Sequence, residues 1–158
     1  MSASVTRREF LRAGAAAGAG LTLAISLPSC TGGPGKAVTT PFVPNAWVRI
    51  STDGSVTLIL GHSEMGQGVY TALPMLLAEE LDVAWENVRV EQGGADKAYF
   101  NPIFQSQVTG GSMSVATTYT PLREAGARAR AMLVSAAATA WGVAPESCTT
   151  EQGVVLHA

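Results

Sequence analysis

Leu73, Leu76, Leu77 and Leu81 recur at spacings of three and four directly behind the segment GHSEMGQG, and that period dictates a helix over residues 69–82 with one apolar face. Glu79, Glu80 and Asp82 fall mostly off that face, and Pro74 is tolerable because it lies in the first turns. A one-sided helix must bury its stripe against another element, and the residues before it supply one. WVRIST and SVTLILG alternate apolar and polar positions around an Asp-Gly turn, which predicts a β-hairpin over 47–61. With 47% hydrophobic and 14% charged residues in a chain of 158, the composition suits one domain with its own core.

Beyond the first helix, VRVEQ at 88–92 reads as a short strand, and the stretch at 93–111 as a long glycine-bounded loop of the kind that carries function. From Ser112 the chain is rich in alanine and forms a helix, or a pair of helices interrupted near Pro121, ending at Gly142 with Pro145 beyond. CTTEQGVVLHA looks like the start of another hairpin, and no internal repeat is evident. The order strand, strand, helix, strand, helix gives an α+β fold, a small sheet (the hairpin plus a further strand) packed by two helical segments.

The N-terminus has a different character. TRREFLRAGAAAGAGLTLAISLPSC is a charged region followed by an Ala/Gly/Leu run too short to span a bilayer, and Arg7 and Arg8 with Phe10 and Leu11 match a twin-arginine export signal over residues 1–30. Such a signal implies a periplasmic destination for an already folded protein, and hence a cofactor acquired before export. LPSC would anchor the chain to a membrane if Cys30 were lipidated. Residues 31–44 read as a Gly/Pro/Thr-rich linker, leaving 45–158 as the domain. A net charge of −2, with no Lys/Arg cluster outside the N-terminus, excludes nucleic-acid binding. Cys30 and Cys148 are too few for a disulfide framework or a thiolate metal site, and His62 and Glu64, two residues apart, lack a third ligand for zinc. Trp47, Trp85 and Trp141 read as packing residues, and His157 has no evident partner.

The chemistry concentrates at two glycine turns. Gly66 and Gly68 let main-chain N–H groups approach a ligand at a helix N-terminus, whose unpaired donors favour phosphate or another electron-rich group such as an oxidised pterin, while the Gln67 amide can donate and accept. TGGS at 109–112 repeats the device with two hydroxyls, and Ser112 could equally serve as a helix N-cap. Read alone, each remains an ordinary glycine-rich turn before a helix as much as a binding site.

Together, GHSEMGQGVYTALPMLLAEELDVAWENVRVEQGGADKAYFNP and QVTGGSMSV resemble the molybdenum-binding subunit of the xanthine oxidase family, in particular the isoquinoline 1-oxidoreductase β-subunit type and its exported aldehyde dehydrogenase relatives. The resemblance covers residues 43–158. It implies a molybdopterin cofactor, in the cytosine dinucleotide form, held by Met65, Gly66, Gln67 and Gly68 and by Thr109, Gly110, Gly111, Ser112 and Ser114. It further implies an aldehyde or N-heterocycle substrate hydroxylated with oxygen from water, and a small partner subunit carrying the 2Fe-2S clusters. The family's catalytic glutamate has no matching residue, so Glu64, Glu79 and Glu80 are not candidates for it, no catalytic or metal-ligating residue is assigned, and the chain reads as part of a longer large subunit that is inactive alone. Such a piece should leave apolar surface uncovered along 125–143. The competing expectation is a non-enzymatic periplasmic or lipid-anchored α+β domain in which the glycine turns are structural.

Overall fold

A computed structural model describes residues 4–6, 21–23, 47–51 and 53–157. Arg7, Arg8, Cys30 and the linker at 31–44 lie outside the described residues. The hairpin forms as the alternation predicts: β3 (Val48–Ile50) and β4 (Val56–Leu60) pair antiparallel with Val48 opposite Leu58 and Ile50 opposite Val56, and Asp53 closes the turn by accepting from the Ser55 N–H at 2.9 Å. α1 (Val69–Leu81) then crosses over to β5 (Val88–Gln92), which lies parallel to β4. The α+β class and the hairpin-plus-strand sheet are therefore as the sequence indicates.

Two elements come from the segment read as a leader. β1 (Ser4–Thr6) pairs antiparallel with β7 (Val154–His157), and β2 (Leu21–Leu23) pairs antiparallel with β3. The sheets are thus β2-β3-β4-β5 and β1-β7-β6, with β6 at Cys148–Glu151. An open strand edge presents unpaired N–H and C=O groups, which any extended neighbour can satisfy.

α2 (Met113–Trp141) is one continuous helix, not a pair broken at Pro121. Proline inside a helix removes a hydrogen bond and costs about 3 kcal/mol. What outweighs it here is burial: Leu122, Ala125, Ala129, Leu133 and Ala137 all join the core. Of the stretch expected to stay uncovered, one face is buried through Ala125, Ala129, Leu133, Ala137 and Ala138, while Ala131, Met132 and Ala140 on the far side are exposed. Opposite them α1 buries Val69, Leu73, Leu77 and Leu81, and the hairpin contributes Val48, Ile50, Val56, Leu58 and Leu60. The helices approach closely at Gly126, where a Cβ would stand 2.5 Å from the Leu77 carbonyl oxygen. Glu80 and Arg123 pair across the same seam, with Arg123 Nε 2.8 Å from Glu80 Oε1.

A repeat that is not evident in the sequence becomes visible in the backbone. α1 ends at Asp82 (φ 54°) and α2 at Gly142 (φ 70°), both left-handed, with Val83 N–H donating to Ala78 O and Val143 N–H to Ala138 O. Each cap leads into one 3-10 turn, Trp85–Asn87 or Pro145–Ser147, and then a strand. LDVAWENVRVEQG and WGVAPESCTTEQG are therefore two copies of one unit, with Val83, Ala84, Glu86, Glu91 and Gln92 matching Val143, Ala144, Glu146, Glu151 and Gln152. The copies touch where Gln152 N–H donates to the Asp82 carboxylate at 3.2 Å. Trp47 is buried and Trp141 stacks on His157 with ring centres 6.2 Å apart, whereas Trp85 is half exposed and so is not a core residue. His157 does have partners: its Nδ1 lies 3.2 Å from both the hydroxyl and the carbonyl of Ser147.

Candidate functional site

Eight residues join the end of β4 to the start of α1, and their shape is set from within. Gly66 (φ 93°) and Gly68 (φ 83°) take left-handed conformations that a side chain would resist. The helix start is not the row of unpaired donors that the sequence suggests. Glu64 occupies it: Oε1 accepts from the N–H groups of Gly66 at 2.8 Å and Gly68 at 3.1 Å, and Oε2 from Tyr70 at 2.9 Å. These bonds, the one from Tyr70 foremost and then that from Gly68, hold the exposed Glu64 carboxyl below the usual carboxylate range. Gln67 closes the loop on itself, accepting from Met65 N–H at 2.8 Å and donating to Ser63 O at 3.0 Å.

The second glycine segment is strapped to the first. Thr109 Oγ1 accepts from Ser63 N–H at 2.9 Å, and Gln107 Nε2 donates to Gly61 O at 3.0 Å. Between β5 and α2 the long loop is ordered by Asn101, a buried side chain whose Oδ1 accepts from Ile103 N–H at 2.9 Å and Phe104 N–H at 3.2 Å. Tyr99 fills a slot made by Gly61 and Gly93 and lies 6.0 Å, ring centre to ring centre, from Trp47. Burial, with Asp96 and Glu91 nearby, raises the Tyr99 phenol above its usual pKa. Ser112 stands at the N-cap position of α2 but with φ 56° and no side-chain capping bond, so its hydroxyl is not used as a cap. The carbonyl of Ser114 accepts from Thr118 Oγ1 at 2.6 Å.

The straps bring both turns to one open cleft of about 370 Å³, walled by Met65, Gln67 and Gly68 on one side and by Thr109, Gly110, Ser112 and Ser114 on the other. Of the residues singled out in the sequence, Gly66 and Gly111 are outside that lining and shape the turns instead. A wider cleft of about 660 Å³ opens beside it, lined by Ser63, Lys97, Gln107 and Thr109, and Met65 and Thr109 border both. His62, beneath the turn, is 7% exposed and its Nδ1 has no hydrogen-bond partner; burial lowers its pKa and favours the neutral ring. No three His, Cys, Asp or Glu side chains among the described residues gather as a metal would need. Nor is any helix among them long and apolar enough to cross a membrane.

Among known proteins, the family described as the molybdopterin cofactor-binding domain matches residues 3–158. The chain belongs to that family. This molybdopterin-binding domain is 44% identical over 138 residues to the β-subunit of isoquinoline 1-oxidoreductase from Brevundimonas diminuta, covering 84% of the chain and 17% of the relative. It is 34% identical over 161 residues to a membrane-bound aldehyde dehydrogenase of Gluconacetobacter polyoxogenes whose name specifies pyrroloquinoline-quinone, covering 97% and 20%. It is 32% identical over 110 residues to a nicotinate dehydrogenase subunit of Pseudomonas putida, covering 70% and 9%. These relatives place the domain in the xanthine oxidase family, and the chain spans no more than a fifth of their length.

The residues present fit a pterin-type cofactor on stereochemical grounds. A Cβ added at Gly68 or Gly110, both of which line the cleft, would meet nothing within 4 Å, so the backbone stands open to a ligand at these points. The Ser112 hydroxyl, uncommitted to a cap, adds a polar group to the same cleft. Glu64, Gln107 and Tyr99, which build the molybdopterin-binding domain's turns without belonging to either glycine motif, escape a reading of the sequence alone. A carboxylate just ahead of a helix is the available signal for Glu64; nothing local signals the bond from Gln107 to Gly61.

Proposed function

We propose that this chain forms part of the molybdopterin cradle of an exported molybdenum hydroxylase large subunit acting on an aldehyde or an N-heterocycle. The observation that carries the reading is the single cleft into which both glycine segments open, in a chain of the molybdopterin-binding family. Gln67 and Gly68 would hold the cofactor from one wall, and Thr109, Gly110, Ser112 and Ser114 from the other. When bound, molybdopterin supplies a molybdenum centre that takes up the electrons of substrate oxidation. The chain's own residues position: Gln67 locks the turn by its two internal bonds, and Thr109 fixes the spacing between the walls through Ser63. The cytosine dinucleotide form, the remainder of the large subunit and a small 2Fe-2S partner complete the reading. The named substrates of the relatives support the substrate class.

In the full-length subunit, Gln67→Ala is expected to weaken cofactor retention by about 1 kcal/mol through the loss of two exposed turn bonds, and Gly68→Val by more, because a β-branched residue resists φ 83°. Molybdenum and pterin content per subunit reads the effect, with thermal unfolding of cofactor-free protein as the control. Wild-type cofactor occupancy in both variants would return the turn to a purely structural role. Quinone in place of pterin would instead assign the domain the cofactor named in the Gluconacetobacter relative.

Export is the second part of the proposal and rests on Arg7 and Arg8. Replacing both with lysine is expected to retain the protein in the cytoplasm, since lysine lacks the planar guanidinium fork. Undiminished periplasmic delivery of that double variant would remove the twin-arginine assignment.

A further inference from the structure

The outer face of α1 carries a groove that neither glycine segment enters. Met75 and Trp85 are exposed large apolar side chains, and with Val83 they line an open depression of about 420 Å³ that Glu79 and Asp82 also wall. No Lys or Arg is among its described lining residues. An exposed apolar patch bounded by charge marks a docking surface. A ring beside two carboxylates suits a guanidinium, which stacks on the ring and offers a carboxylate its planar fork. The register of β1 says which segment is at hand. Thr6 lies opposite Val154, so the chain leaves the sheet toward the Gln152-Gly153 turn, and that turn touches the groove: the Gln152 N–H donates to the Asp82 carboxylate at 3.2 Å. Neighbouring strands stand about 4.8 Å apart. The next residues in sequence are Arg7 and Arg8, with Arg12 just beyond Phe10 and Leu11.

We propose that this groove docks the Arg7-Arg8 segment of the same chain, with the guanidinium groups against Trp85 and the carboxylates of Glu79 and Asp82. Three arginines against one glutamate make residues 7–12 a cationic stretch that complements the acidic groove. β1 tethers that stretch beside it, which turns docking into an intramolecular step at high effective concentration. The groove exists only when α1, its following 3-10 turn and the β6-β7 hairpin are in place, so the folded domain holds the arginine pair and the unfolded chain does not. The inference rests on the export reading for its consequence alone: a receptor that reads the pair has to take it from the groove. The docking itself is a property of this chain.

The test uses the full 158-residue chain and follows the indole N–H NMR signal of Trp85, assigned with Trp85→Phe, and the rate of trypsin cleavage after Arg7 and Arg8. Arg7→Gln with Arg8→Gln is expected to move the Trp85 signal and to leave those of Trp47 and Trp141 in place. Glu79→Lys is expected to move it likewise and to speed cleavage after Arg7 and Arg8 about threefold, the scale of one partly exposed ion pair. Raised salt is expected to shift the wild-type signal toward that of the variants. Thermal melting and unchanged cleavage after Arg128 on α2 show that each variant is folded. The docking is overturned by a Trp85 signal indifferent to the arginine pair, or by cleavage indifferent to Glu79→Lys. It is also overturned by a Trp85 signal that depends on protein concentration, which would give the groove to a second copy. Arg7→Lys with Arg8→Lys separates docking from export, because it keeps both charges. Undiminished periplasmic delivery of that lysine variant, with Trp85 still answering to the glutamine variant, removes the export reading and leaves the docking. Failed delivery of the lysine variant, with Trp85 ignoring the glutamine variant, removes the docking and leaves the export reading.

Discussion

Gly126→Val is expected to remove about 3 kcal/mol or more of stability and to lower the melting temperature by about 10 °C, although glycine in mid-helix is ordinarily a weakness. In an open helix, replacing glycine by alanine gains about 1 kcal/mol. At Gly126 the new Cβ would stand 2.5 Å from Leu77 O, 2.9 Å from Glu80 Cβ and 3.1 Å from Leu81 N, two of them backbone atoms of α1 that no rotamer change can move. The helices must separate, which opens the seam where Leu77, Leu81, Leu122, Ala125 and Ala129 are buried and parts Glu80 from Arg123. Urea or thermal unfolding of Gly126→Val beside Ala131→Val, an exposed position on the same helix, isolates the clash from helix propensity. Equal stabilities for the two variants would mean that the helices do not meet at Gly126.

That seam also explains what can be read from the sequence and what cannot. α1 is legible because four leucines share its period, and the hairpin because alternation flanks an Asp-Gly turn; both signals are local. The continuity of α2 is not legible, since Pro121 is a local warning and the burial that overrides it comes from another helix. The repeat is hidden by chemistry that differs at equivalent positions: Asp82 and Gly142 reach the left-handed cap by different routes, and Trp85 stands where Pro145 starts the second 3-10 turn. In the site, the two glycine segments are visible as motifs, but the bonds that join them, Ser63 to Thr109 and Gln107 to Gly61, span dozens of residues and leave no mark in spacing. The role of Glu64 escapes because a glycine-rich helix start looks free when the residues ahead of it already carry its counter-charge.

Gly61→Ala should disturb the site from behind its wall. Gly61 follows the last residue of β4 and Gly93 follows the last of β5, and Gly93 N–H donates to Leu60 O at 2.7 Å, so the two glycines lie side by side at the strand ends. Tyr99 occupies the space they leave: an added Cβ would come within 2.2 Å of Tyr99 Cβ at Gly61 and 2.6 Å of its ring at Gly93. At Gly93 the ring can swing, but at Gly61 the clash is with the root of the side chain, so the backbone of Lys97–Tyr99 has to move. That motion pulls on the loop whose far end carries Gln107 and Thr109, and with them the second wall of the cleft. The expected cost is about 3 kcal/mol of stability, with cofactor retention in the full-length subunit falling alongside it even though Gly61 is not among the residues lining the smaller cleft. The decisive measurement is a double-mutant cycle. Tyr99→Gly alone destabilises by losing a large, partly buried ring against Trp47, yet it also removes the Cβ and ring atoms that Gly61→Ala strikes, so the double variant should be less destabilised than the sum of the singles by about 1 kcal/mol. Strict additivity would mean that Gly61 and Tyr99 do not share this slot, and the long loop would then need another anchor to explain how Thr109 is held against Ser63.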